Sequence, residues 1–130
     1  VTSHLYSYDY SYDYDPAFPS VDVSVSVPQT PENLVRLSVL LDSGADGTLL
    51  PVDYLDSIGA TPIDQVRIRG VFGDTRVVDL YLVDLRIGPY HLRSVEIGAT
   101  ESGGEALIGR NVLNQMEVTL NGPAGVVEVK

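Results

Sequence analysis

The chain has 130 residues, room for one globular domain and short for two, and its 18 acidic and 8 basic residues give a formal net charge of −10. That balance repels phosphate backbones, and no apolar run is long enough to span a bilayer, so neither nucleic acid nor a membrane is an expected partner. With no cysteine and only two histidines there is little material for a disulfide, a metal site or a Ser-His-Asp triad; carboxylates remain for chemistry, with no metal and no cofactor expected.

Residues 1–18 alternate Tyr with Ser or Asp and contain few aliphatics, which predicts a flexible tail or arm ahead of a domain over 19–130. An added edge strand also suits the alternation. No charged segment followed by an apolar one opens the chain, so no signal peptide is visible, and a soluble, cytoplasmic protein is the expectation.

From Val21 the pattern is that of strands. Val21, Val23, Val25 and Val27 alternate with Asp22, Ser24 and Ser26, and a turn-rich stretch over 28–33 leads into an apolar strand over 34–41, a first hairpin. Segments 66–71 and 75–83 flank Phe72-Gly73-Asp74 as a second. Segments 82–87 and 92–97 bracket Gly88-Pro89 as a third, and 118–120 and 126–129 bracket Asn121-Gly122-Pro123 as a fourth. Two short helices are predicted: 51–57, with Pro51 at its start and Gly59 past its end, and 110–116, with Val112, Leu113 and Met116 on one face. The fold class is therefore mostly β with one or two short helices.

The chemistry-bearing stretch is Leu40-Leu41-Asp42-Ser43-Gly44-Ala45-Asp46-Gly47-Thr48. It delivers Asp42 from the end of an apolar strand into a tight turn, where Gly44 permits close approach of backbone N–H donors to the carboxylate. The rigid strand behind it supplies the positional accuracy a catalytic group needs. The Asp-Ser-Gly triplet alone occurs in ordinary turns, so its surroundings decide. The whole string resembles the catalytic loop of retropepsin-like aspartic peptidases. A second stretch, Leu107-Ile108-Gly109-Arg110-Asn111 leading into a short helix, resembles that family's C-terminal signature, and residues 69–74 fall where the family has its flap.

The resemblance, over about residues 34–129, implies a retropepsin-like acid protease fold: a closed, β-barrel-like domain with a flap hairpin. It implies an aspartic endopeptidase acting on extended polypeptides and sensitive to pepstatin-type inhibitors. Asp42 takes the catalytic role. Ser43 keeps the hydroxyl that can interlock two such loops, and the Gly44 carbonyl accepts from substrate. Ala45, Asp46, Gly70, Val71, Phe72, Gly73, Glu105 and Leu107 fall at substrate-binding positions. Asp46 and Arg110 match an intramolecular ion pair that braces the loop against the helix, a buried pair whose rupture would cost about 3–5 kcal/mol. Departures include the bulky Phe72 at the flap tip and an acid, Glu105, at a position the family fills with a small or apolar residue.

Aspartic proteolysis needs two carboxylates sharing a proton. One Asp-Ser-Gly loop in 130 residues implies that a second copy, related by a two-fold axis, supplies the other. A peptide-holding dimer that cuts little is the competing function. The aromatic-Pro bond Phe18–Pro19, just ahead of the domain, is a candidate self-processing site, with a proline-containing lead-in to the first strand as the simpler alternative.

Overall fold

The structure, a computed structural model, describes residues 6–70 and 72–130. Period-two alternation determines its first long strand. In β2 (Ser20–Ser26), Val21, Val23 and Val25 are buried and Asp22 is in solvent. β2 pairs antiparallel with β3 (Leu34–Leu41), Val21 opposite Val39 and Val25 opposite Val35, the expected first hairpin. Around it are β1 (Tyr6–Asp9), β4 (Thr48–Pro51), α1 (Val52–Ser57), β5 (Asp64–Arg69), β6 (Thr75–Ile87) and β7 (Tyr90–Thr100). The chain ends with β8 (Leu107–Ile108), α2 (Arg110–Leu113), β9 (Val118–Asn121) and β10 (Val126–Val129). The second, third and fourth expected hairpins are β5–β6, β6–β7 and β9–β10.

The larger sheet runs β2-β3-β8-β4-β7-β6-β5, and β2 also pairs with β6, so all strands but β5 close on themselves. Closure removes unpaired edges and encloses one core. Its largest fully buried members include Leu50, Leu55, Ile58, Leu85, Ile87, Ile97 and Ile108. Each such side chain stabilises the fold by roughly 1.5–3 kcal/mol before chain entropy is counted. α1 contributes Leu55 to this core and stops where expected, with Gly59 at φ 73°. α2 is shorter than the predicted 110–116: after Leu113 the chain tightens into i→i+3 bonds, Gln115 N–H to Val112 O and Met116 N–H to Leu113 O. Among the described residues no helix is long and apolar enough to cross a membrane.

The Tyr/Asp-rich segment differs from a loose tail over its described part. Tyr6–Asp9 forms β1, an outer strand antiparallel to β10 in a second sheet of order β1-β10-β9. Alternation, with too few aliphatics for a core strand, is what an edge position tolerates. Beyond it, residues 10–19 loop out and back. Tyr10 N–H reaches Gly125 O, and Ser11 and Phe18 exchange backbone hydrogen bonds of 2.8 and 3.0 Å.

One buried charge stands out. Asp84, 4% exposed, sits at a bulge between Val83 and Leu85 in β6, and its Oδ1 accepts the N–H of Ser94, a residue at φ 52°. Removing that acceptor strands a backbone donor and should cost about 1–3 kcal/mol. Asp84→Ala is therefore expected to lower the denaturation midpoint while leaving residues 40–48 unchanged by NMR shift; an unaltered midpoint would contradict this role.

Candidate active site

Asp42 follows directly on β3, and the pairing of that strand sets its direction. Leu41 and Ile108 are parallel partners and both belong to the core; Leu40 and Leu107, one step earlier in each strand, do not. Alternation therefore turns Leu40, Leu107 and Asp42 to the opposite face, with Leu49 of β4 in register beside Leu107. Three leucines side by side form an apolar floor leading to the carboxylate. Asp42 is half-buried, its N–H donates to Ile108 O (2.9 Å), and its Oδ1 accepts the Gly44 N–H (2.9 Å). A Cβ at position 44 would lie 3.1 Å from that same Oδ1, so glycine is what lets the turn fold back onto the acid.

The loop is held from behind by the start of α2. Arg110 N–H donates to Ala45 O (2.8 Å) and Asn111 N–H to Asp46 O (3.2 Å). Thr48, 2% exposed, donates through Oγ1 to Asn111 Oδ1 (2.7 Å) and accepts the Gly109 N–H (3.1 Å). Asn111 Nδ2 continues to Glu96 O. Thr48 and Asn111 stand inside the two sequence signatures, yet no role follows for them from sequence; their link appears only once β4 and α2 are brought together, 63 residues apart in sequence.

The expected Asp46–Arg110 ion pair is not formed. Both side chains are exposed, and the Arg110 guanidinium reaches past Asp46 to the carbonyl of Ser43, Nη1 to O 2.9 Å. Among the described residues the side-chain ion pair is Arg76–Glu101 (3.4 Å). The brace is thus made by Arg110 with loop carbonyls rather than by opposite charges, because a carbonyl at the turn lies within reach of the planar guanidinium.

Other expected site residues are divided. Ala45 and Asp46 line a cavity of about 400 Å³ between the Asp42 loop and β5, to which Arg67, Ile68 and Arg69 of β5 also contribute. The β5–β6 tip carries Gly70 and Gly73, bonded to each other (Gly73 N–H to Gly70 O, 3.0 Å), while Phe72 is 96% exposed and covers nothing within the chain. Val71 lies outside the described residues. Glu105 is turned to the 10–19 loop, where the Tyr14 hydroxyl donates to its Oε2; that bond pushes the Tyr14 pKa above its ordinary value, so Tyr14 remains a donor at neutral pH. Phe18–Pro19 is tied down on both sides: Phe18 exchanges bonds with Ser11, and Pro19 O accepts the Leu41 N–H at 3.0 Å. Cutting there would require the strand next to Asp42 to let go first, so the folded chain does not present this bond. Among the described residues, no group of three His, Asp or Glu is placed to hold a metal ion.

Two substitutions test this architecture. At Gly109 a Cβ would fall 2.1 Å from Gly47 O and 2.8 Å from Ala45 O, both backbone atoms, so Gly109→Ala should cost about 2–3 kcal/mol in denaturant unfolding. Arg110→Ala, losing one exposed charge-assisted bond, should cost about 1.5 kcal/mol, less than the rupture of a buried ion pair. A larger loss at Arg110 than at Gly109 would reverse the account.

Residues 23–112, more than half of the chain, match the model of a family described as aspartyl protease. A search of curated proteins gives no match. Among solved structures, the chain is similar to a retropepsin-like aspartic protease from Rickettsia conorii, with 11% identity over 97% of this chain and 89% of that one and a TM-score of 0.64. It is also similar to EIAV protease complexed with the inhibitor HBY-793, with 20% identity over 75% and 86% and a TM-score of 0.56. These likenesses bear on the fold, which is the mostly-β retropepsin-like one expected from the sequence. With the family match and the Asp42 loop together, the chain belongs to the aspartyl protease family and is an aspartic-type peptidase.

Proposed function

We propose that the protein is an endopeptidase active as a two-fold homodimer, each chain giving one Asp42 to a shared site. The observation that carries this reading is the single, rigidly backed Asp42 loop at the end of an apolar floor. A lone carboxylate lacks the acid–base partner the chemistry requires. Bringing two copies together at this loop puts two carboxyl groups side by side, where one holds a proton and the other is ionised.

In that arrangement the ionised Asp42 takes a proton from a bound water as it attacks the scissile carbonyl. The protonated Asp42 donates to the carbonyl oxygen, and the tetrahedral intermediate collapses as the amide nitrogen gains a proton. The Gly44 N–H holds one carboxylate oxygen, leaving the other free to face the water. Ser43, exposed at the turn, is available to bond its counterpart in the second chain. Among the described residues β9 is an outer strand of the three-stranded sheet, and with Leu120 57% exposed it is a surface for a second copy to cover. Residues of β5 share a cavity with the Asp42 loop, and the β5–β6 hairpin would act as the flap over an extended peptide, with Phe72 at its tip meeting substrate or the partner's flap.

Asp42→Asn should abolish peptide cleavage, with an unchanged circular dichroism spectrum and melting point. Cleavage at the wild-type rate in that variant would end the assignment. Because the pair must share one proton, activity should peak at about pH 4–6 and fall toward neutrality. Pepstatin-type inhibitors should block it, and a rate profile flat up to pH 9 would count against the carboxylate pair.

A further inference from the structure

The protein carries a formal charge of −10, yet its cations are not spread evenly around the site. Of its 8 basic residues, Arg67, Arg69 and Arg110 all line the one cavity between the Asp42 loop and β5. Arg110 is engaged with the Ser43 carbonyl. Arg67 and Arg69 lie two apart on an exposed strand at the open end of the sheet, and among the described residues neither makes an ion pair within 4.0 Å. Asp46 is the only acid lining that cavity among the described residues, and Glu96 joins it in the adjoining space below Arg67.

Among the described residues the arginine with a carboxylate partner is Arg76, so it is not the lack of a partner but their place in the fold that sets Arg67 and Arg69 apart. Both are exposed residues of β5, and both line the space of about 400 Å³ between that strand and residues 44–47 of the Asp42 loop. The planar fork of arginine matches a carboxylate in a bidentate geometry, stronger than a neutral hydrogen bond. Low-dielectric walls, here Leu49 and Ile68, concentrate the field of such a group within a cleft.

Resting on the peptidase reading, we propose that Arg67 and Arg69 form a subsite for an acidic side chain of the substrate, so that peptides with Glu or Asp beside the cut bond are preferred. The hairpin that carries them then does more than cover the peptide: it reads its charge. The overall negative charge opposes this preference at long range, whereas the subsite acts within a few ångströms of the bound chain. Salt screens the first and affects the second less.

The test uses the full chain and peptide pairs that differ only by Glu against Gln at each position near the scissile bond. At one such position the wild-type protein should cleave the Glu peptide with kcat/KM about tenfold above the Gln peptide, mostly through KM. In the Arg67→Gln, Arg69→Gln double variant that ratio should fall toward one. Peptides with free and amidated C-termini separate an acidic side chain from a terminal carboxylate as the recognised group. Binding of the same pairs to Asp42→Asn, followed by fluorescence polarisation, reads the subsite without cleavage. Cleavage with equal ratios in wild type and double variant overturns the subsite and leaves the peptidase standing. Charge-selective binding lost in the double variant, but with no cleavage by wild type, supports the subsite and removes the peptidase. Neither binding nor cleavage overturns both.

Discussion

The close approach between the 43–47 loop and the β8–α2 junction is the constraint on which the site depends. Gly109 has so little room that a single methyl group would overlap the carbonyl of Gly47. That proximity lets the N–H groups of Arg110 and Asn111 reach the loop carbonyls and puts Thr48 between Gly109 and Asn111. Backbone groups that would otherwise be buried without partners are satisfied there, and the loop has one conformation in place of many. Asp42, bonded through its own N–H to Ile108 O, inherits its position from this junction.

The closed sheet divides its side chains between two uses. Leu41 and Ile108 go inward to the core, while their neighbours Leu40 and Leu107 go outward to the floor of the cleft. One strand pair thus supplies both the core and the face that carries Asp42, and a shift of a single residue in register would exchange the two sets. The parallel pairing of β3 with β8 protects against such a slip, because Asp42 N–H and Leu40 N–H are both bonded to β8 or the residue before it. The N-terminal segment adds a third fixing point through Pro19 O and Leu41 N–H, immediately before the Asp42 loop.

Much of the fold was legible from patterns of two kinds. Alternating valines and turn-forming clusters located the four hairpins, because each pattern reflects a local steric preference that tertiary contacts did not override. The signature around Asp42 located the loop. What escaped sequence reasoning depends on distance in the chain. The Thr48–Asn111 bond and the choice of Ser43 O over Asp46 by Arg110 are decided by how two remote segments approach, which no spacing records. β4 and β8 are too short for periodicity to declare them, at 4 and 2 residues. The Tyr/Asp run has the composition of a tail, and only the exposed edge of β10 makes a strand of it. Arg67 and Arg69 carry no signature in the sequence, and only the fold brings them to one cavity with the Asp42 loop.

That Asp42 is half of an active site, completed by the same residue in a second chain, is tested most directly by mixing. Wild-type chains are combined with an equal amount of Asp42→Asn chains, allowed to exchange, and assayed for peptide cleavage. If each site needs one carboxylate from each chain, random pairing leaves about half of the activity per wild-type chain. Activity per wild-type chain unchanged by the added Asp42→Asn protein would contradict the shared site.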